Sequence, residues 1–477
     1  MELPSEILEI IFSFLTKESQ CISQYVCHAW HTPAKRIFYH SIHLTFDSKD
    51  DTQPDLFKRL IHSLESPISF HVSAGQCLRH LRVDFQIAPE PSFMPTVTDF
   101  QCLASYCPNL KSFLFPGKMF WRTIMETAHR FNSLEVLPAL DGTSESCAQL
   151  AQFRHSLTSL EVASWQNRLP EIADYIAMFT KIQTLTITCR RFTNLHDVIP
   201  SLIRCPTVRH LILELTYPIR TRPIRQIVPR LTHLTLTLSK ICPVTLSFIY
   251  RGLPALHWLS CKFTSDIATV TWSDEQIHVM QKLLSFSTTL HYANIHVFTG
   301  VSDLTHDLVR LFTKESFSLS ISYDSRASTT SLIPDLVIEK KNDARHLHIT
   351  YQGLFSHFPH DHFLTHWSSH LSYLQITYPG ATRNQRKSDI DLILAHSPRL
   401  KGLVLDQAYI KPECKCSHTS LKSFTLKRCL LAVDSFSSFF FPSLQTLGFD
   451  QCEYVEEREN SVLLETPRYL LQTFHSV

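Results

Sequence analysis

The chain is poor in glycine, with 9 in 477 residues, about 2% against a usual ~7%. They stand at positions 75, 117, 142, 252, 300, 353, 380, 402 and 448, and no two lie closer than 22 residues. Loops that cradle phosphate or present a nucleophile need closely spaced glycines, so that the backbone can turn tightly against its ligand. G-x-G-x-x-G, G-x-x-x-x-G-K-[ST] and G-x-S-x-G cannot be written with this spacing. Nucleotide-fold dehydrogenases, P-loop enzymes, typical kinases and elbow-type serine hydrolases are therefore poor hypotheses.

Other absences narrow the class further. Charge of one sign is lacking: 45 Lys+Arg face 43 Asp+Glu, a net +2, so no long-range field favours nucleic acid as the main partner. No apolar run reaches 18 residues, so no membrane span is expected. The start, Met1-Glu2-Leu3-Pro4, is acidic where a signal peptide is basic. No Asn lies in an N-x-[ST] sequon, and the 14 cysteines have no framework spacing. Reduced thiols and a cytoplasmic or nuclear location are expected. Apolar residues at 44% are too many for a disordered chain.

What is present is a repeat. Leu-x-x-Leu-x-apolar recurs as Leu78-Leu81-Val83, Leu110-Phe113-Phe115, Leu134-Leu137-Ala139, Leu157-Leu160-Val162, Ile182-Leu185-Ile187 and Val208-Leu211-Leu213. It continues as Leu231-Leu234-Leu236, Leu256-Leu259-Cys261, Leu290-Ala293-Ile295, Ser316-Leu319-Ile321 and Ala344-Leu347-Ile349. Leu371-Leu374-Ile376, Leu400-Leu403-Leu405, Leu421-Phe424-Leu426 and Leu444-Leu447-Phe449 complete it. These are about fifteen units at the spacing of leucine-rich repeats. The alternating pair lies on one face of a short strand, with the first leucine packed beneath it. Helical periodicity fills the gaps, as in Leu195, Val198, Ile199, Leu202 and Ile203. Pro108, Pro206, Pro229, Pro254, Pro398 and Pro442 stand where each helix should stop. Units this small must stack to bury their apolar faces. The expected fold is α/β: an irregular leucine-rich-repeat solenoid over 78–455, with parallel strands on the concave face. Residues 46–77 would connect and cap it, and 456–477 would cap the far end. An α/β domain with leucine-rich strands by chance is the alternative.

Residues 1–45 read as three short helices. The first carries Ile7, Leu8, Ile11, Phe12, Phe14 and Leu15, too broad an apolar stripe for one buried face. Ser19 is the expected cap of the second, and Trp30, Ile37 and Phe38 lie on the third. Leu3-Pro4-x-Glu6-Ile7-Leu8-x-x-Ile11-Phe12-x-Phe14-Leu15, then Val26-Cys27-x-x-Trp30, then Phe38-Tyr39, resembles an F-box. Ser19-Gln20 stands where that family usually has Asp-Leu.

The resemblance implies an F-box protein with leucine-rich repeats, a substrate-recognition subunit of Skp–cullin–F-box ubiquitin ligases. It implies a Skp-family adaptor bound by Leu3, Pro4, Ile7, Leu8, Ile11, Phe12, Val26, Cys27 and Trp30, and a cullin reached through that adaptor. Leu3, Pro4, Leu8 and Phe12 are the leading contacts; Ile11, Val26 and Trp30 serve equally well as packing. The substrate would be a protein, with no catalytic residue, metal or cofactor in this chain.

On the strands, residues alternating with the core positions share the open face. His210, His233, Trp258 and Tyr292 occupy one such position in four successive units, with Glu214, Lys262 and His296 further along. Large rings with polar tips suit a substrate-binding row; β-compatible fillers on a solvated face are the alternative. Two clusters keep a metal-dependent enzyme open as a rival: Cys414, Cys416 and His418, and His357, His360, Asp361, His362 and His366. A scaffold unrelated to ubiquitin also remains.

Overall fold

The computed structural model describes residues 3–46, 56–69, 72–85, 95–115, 150–162, 174–189, 195–215, 226–239, 242–263, 273–298, 316–324, 334–352, 370–378, 390–410, 417–432 and 440–455, with most of 123–137 and residue 148. The terminal stretch 456–477 lies outside them. Two compact units divide the chain, Met1–Thr216 and Tyr217–Val477.

The first unit opens with three helices: α1 (Ser5–Ser13), α2 (Lys17–Ser23) and α3 (His28–His40). Thr16, rather than Ser19, caps α2, its hydroxyl accepting from the Ser19 N–H at 3.2 Å. β1 (Ser41–Phe46) follows without a break, so residues 41–45, expected to be helical, are sheet. Ile42-x-Leu44 carries the same alternation as the repeat, and it pairs with Leu81 and Val83 of the next strand. Then come α4 (Leu56–Glu65), the short α5 (Ala74–Cys77), β2 (His80–Phe85), α6 (Val97–Tyr106) and β3 (Ser112–Leu114). β4 (Ser159–Val162), β5 (Thr184–Cys189), α7 (Leu195–Arg204) and β6 (His210–Leu215) complete it.

Apart from a short antiparallel pair, Pro67–Ser69 with Val72–Ser73, pairing among the described strands of this unit is parallel and follows chain order. β1 pairs with β2, and β2 with β3. Single bridges at Val136 lead from β3 to β4, and β5 and β6 follow in register, Leu185 opposite Leu211 and Ile187 opposite Leu213. Capping boxes start α5 and α6 at Ser73/Gln76 and Thr96/Asp99. Phe57, Phe100, Phe113 and Phe115 interlock at centroid separations of 5.2 to 5.8 Å. Gly75 is fixed by close approach: a Cβ there would lie 2.5 Å from the Tyr106 carbonyl oxygen.

The second unit holds β7 (His233–Leu238), α8 (Pro243–Gly252), β8 (Trp258–Phe263), α9 (Asp274–Ser287), β9 (Tyr292–Phe298), β10 (Phe317–Asp324), β11 (Pro334–Lys341), β12 (Ala344–Gln352) and β13 (Leu371–Thr377). β7, β8 and β9 are parallel in chain order. The order then changes to β9-β11-β12-β10-β13, with β11 antiparallel to both neighbours. The unbroken parallel series expected over 78–455 is thus interrupted. Lys341 pairs with Ala344 across a two-residue turn, where Asn342 adopts φ 54°. Such a turn returns the strand beside itself rather than through a crossover helix.

Parallel order resumes through α10 (Ile390–His396), β14 (Gly402–Asp406), β15 (Tyr409–Ile410), β16 (Ser423–Lys427), β17 (Leu430–Ala432), β18 (Thr446–Asp450) and β19 (Glu453–Val455). Here successive units share one device. Gln407, Arg428 and Gln451 each take positive φ between a long and a short strand. The next residues are Ala408, Cys429 and Cys452, all buried. The Cys429 and Cys452 thiols donate to the Leu405 and Leu426 carbonyls, at 3.2 and 3.3 Å. Arg428 also makes a two-point ion pair with Asp406.

Among the described residues, every repeat triad from Leu78 to Leu426 is buried except at Ser316 and Ala344. Full burial of one such side chain contributes about 1.5–3 kcal/mol. Helices α6, α7, α8 and α10 all end just before the expected prolines Pro108, Pro206, Pro254 and Pro398. The chain is therefore mixed α/β, an N-terminal helical region followed by sheet rich in parallel pairs.

Candidate partner-binding surfaces

In the helical region, side chains divide between a small core and a wide apolar exterior. Leu8 and Phe12 are 3% and 1% exposed and pack with Ala34, Trp30 and Ile37. Phe12 meets Trp30 edge to face at 5.3 Å. Leu8 and Phe12, expected to lead the docking face, are core residues: they lie one turn apart on the side of α1 that faces α3. The Gln20 amide donates to the Phe12 and Leu15 carbonyls at 3.0 and 3.1 Å, tying α2 to the end of α1. Lys17 donates to the Phe38 carbonyl at 2.6 Å at the end of α3, and burial lowers its pKa.

Leu3, Pro4, Ile7, Ile11, Val26 and Cys27 are exposed, and Trp30 is half-buried. Ile10, Phe14, Ile22 and Tyr25 join that surface, with Phe14 85% and Tyr25 82% exposed. These four were not among the residues expected to contact an adaptor. Ile7, Ile10, Ile11 and Phe14 follow the i, i+3, i+4, i+7 spacing of one helix face, but so do Leu8, Ile11, Phe12 and Leu15, and spacing alone does not separate the two sides.

On the sheet of the second unit, Trp258 lies between His233 and Tyr292 in register. The Trp258 and Tyr292 rings stack at 4.7 Å and 8°, and His233 lies 5.9 Å from Trp258. Thr235, Ser260 and Asn294 form the next row, then Thr237, Lys262 and His296. The Asn294 amide reaches the Tyr292 hydroxyl at 3.4 Å. Further across, Glu339 lies opposite Asn294 and His346, and 3.9 Å from His348. Burial, with His346 adding to it and Glu339 opposing, lowers the His348 pKa. His210 and Glu214 are exposed on β6 of the first unit.

The candidate metal ligands Cys414, Cys416, His357, His360, Asp361, His362 and His366 lie outside the described residues. His418 is buried, with Nε2 at 2.8 Å from the Ser397 carbonyl oxygen. Among the described residues no group of three His, Cys, Asp or Glu is placed to hold a metal ion. Burial pushes the Cys107 and Cys205 thiols up to about 12 and about 11, which keeps both protonated at neutral pH. No helix among the described residues is long and apolar enough to cross a membrane.

Residues 1–45 match the F-box-like family model. No curated protein matches the chain. A domain of this kind suggests an adaptor role in ubiquitin ligation in general, and such domains generally bind Skp-type adaptors.

Proposed function

We propose that this chain is a non-catalytic substrate-recognition subunit of a Skp–cullin–F-box type ubiquitin ligase. The helical region binds the Skp adaptor, and through it the cullin. The remainder is an irregular leucine-rich-repeat stack that holds a protein substrate, so that proximity to the conjugating enzyme supplies the rate. The carrying observation is the exposed apolar surface of Ile7, Ile10, Ile11, Phe14, Ile22, Tyr25 and Val26 within the F-box-like match. Large apolar side chains left exposed in such number within one small helical region mark a protein interface. The repeat reading is supported by in-register parallel strands whose leucine triads are buried. The His233-Trp258-Tyr292 row, with Lys262 and His296, is the proposed substrate surface of the second unit; His210 and Glu214 are its counterparts in the first.

Co-purification with a Skp-family adaptor tests this reading. The double variant Ile11→Asp with Phe14→Asp should weaken capture by roughly 30-fold or more, the effect of losing an interface anchor of about 2 kcal/mol. A wild-type chain that captures no adaptor would leave the alternative, a repeat scaffold that binds proteins without ubiquitin transfer.

A further inference from the structure

Charge is unevenly placed on the sheet of the second unit. The strands β7, β8 and β9 read HLTLTL, WLSCKF and YANIHVF and contain no carboxylate. In the first unit, by contrast, β4 and β6 present Glu161 and Glu214. The open face of β7–β9 carries His233, Lys262 and His296 beside hydroxyl and amide groups. β11 adds Lys341 in register with Tyr292, and β12 adds His346 and His348. Glu339 is the one carboxylate among the described side chains on the open face of these strands, and Asp343 is exposed in the turn after Lys341. Neither Lys262 nor Lys341 pairs with a carboxylate among the described residues, and both are exposed. At the strand entrances, His257 and His291 stand exposed and 5.6 Å apart.

The ring geometry acts in the same sense. A centroid separation of 4.7 Å matches the spacing of neighbouring strands. The Trp258 and Tyr292 rings therefore stand side by side across the strands, with edges rather than faces outward. Ring edges carry the positive part of the aromatic quadrupole, so these edges, the two lysines and the imidazoles all favour negative charge opposite them.

From this complementarity we infer that the face of β7–β9, β11 and β12 takes an acidic segment of its protein partner, one rich in Asp and Glu. The inference rests on the sheet being the substrate surface, and it names that substrate's chemistry. The groups facing a bound carboxylate are His233 from β7, Lys262 from β8, His296 from β9, Lys341 and Glu339 from β11, and His346 and His348 from β12. β10 contributes Ser318 and Ser320 beside the last two. A carboxylate set opposite these imidazoles favours their protonated forms, so binding takes up protons and strengthens as pH falls.

The test uses the full-length chain and fluorescence anisotropy with two labelled peptides, alternating Glu-Ser and alternating Lys-Ser, each roughly 20 residues long, and a single-stranded oligo-dT of similar length. The Glu-Ser peptide should bind and the Lys-Ser peptide should not. Affinity should fall about tenfold between about 50 and about 300 mM salt as the charges are screened. Lys262→Glu with Lys341→Glu should lower it about tenfold, and Lys262→Gln with Lys341→Gln by less. The His346→Gln, His348→Gln pair should reduce the gain in affinity between about pH 7.5 and about pH 5.5, a window that reaches below the ordinary histidine value of ~6.5 because burial lowers the His348 pKa. Thermal melting of each variant verifies folding. The inference is overturned if the Glu-Ser peptide fails to bind, if binding ignores both lysine pairs, or if oligo-dT binds tighter. Adaptor capture, measured on the same protein, separates the two readings. Peptide failure with adaptor captured sinks only the acidic-partner inference, whereas peptide binding without adaptor capture sinks the ligase reading.

Discussion

Phe12 and Phe14 are two positions apart and belong to opposite sides of the same helical region. Phe12 fills the core against Trp30, while Phe14 stands 85% exposed. Phe12→Ala leaves a cavity and should cost about 3–5 kcal/mol, seen as a lower denaturation midpoint. Phe14→Ala should leave that midpoint within about 0.5 kcal/mol of the wild type and weaken adaptor capture instead. Equal loss of stability in both variants would refute this division. The sequence alone left the two alike, because nearly every α1 position that could choose a side is apolar. Only the position of α3 decides which side is inner.

A second residue-scale consequence concerns acid. Burial lowers the pKa of His40, His80 and His348. A histidine whose pKa falls on folding is held neutral by the fold. Its contribution to stability is present above the unfolded value, ~6.5, and is lost as pH drops from there through the folded value. Melting temperature should therefore decline between about pH 7 and pH 5, and His348→Gln should decline less steeply than the wild type. Parallel profiles for the two would show that His348 contributes nothing to the acid response.

At the scale of elements, the buried strand positions were legible because Leu-x-x-Leu-x-apolar alternation sets them on one face of each strand. Strand order was not legible. Ala344-Leu347-Ile349 fits the repeat, yet β12 is the second arm of a hairpin and pairs with β10 beyond it. The local clue was Asn342-Asp343 between two β-rich runs, a turn signal hidden by the regular spacing around it. Asn342 holds φ 54°, and its N–H donates to the His291 carbonyl at 2.7 Å. Asn342→Gly should keep or slightly raise stability, since glycine adopts this conformation freely. Asn342→Val should lose about 1–2 kcal/mol, and Asn342→Pro more, because it also removes the donor. Urea denaturation of the three would expose an error in the turn assignment if their order were reversed.

At the scale of the whole molecule, the family match and the structural boundary do not coincide. The F-box-like match ends at residue 45, inside β1 (Ser41–Phe46), which pairs along its length with β2. β1 is thus the first strand of the sheet that follows, with Ile42 opposite Leu81 and Leu44 opposite Val83. A truncation starting at residue 41 removes α1 to α3 and keeps this strand. A truncation starting at residue 47 uncovers the full edge of β2, whose free N–H and C=O groups invite pairing with other chains. Both lose the proposed adaptor surface, so neither should capture a Skp-family protein. They should differ in solution. Because residue 41 onward retains the β1–β2 ladder, that chain should melt at the higher temperature and show less aggregate by light scattering. Identical melting and scattering for the two would mean that β1 belongs energetically to the helices before it rather than to the sheet.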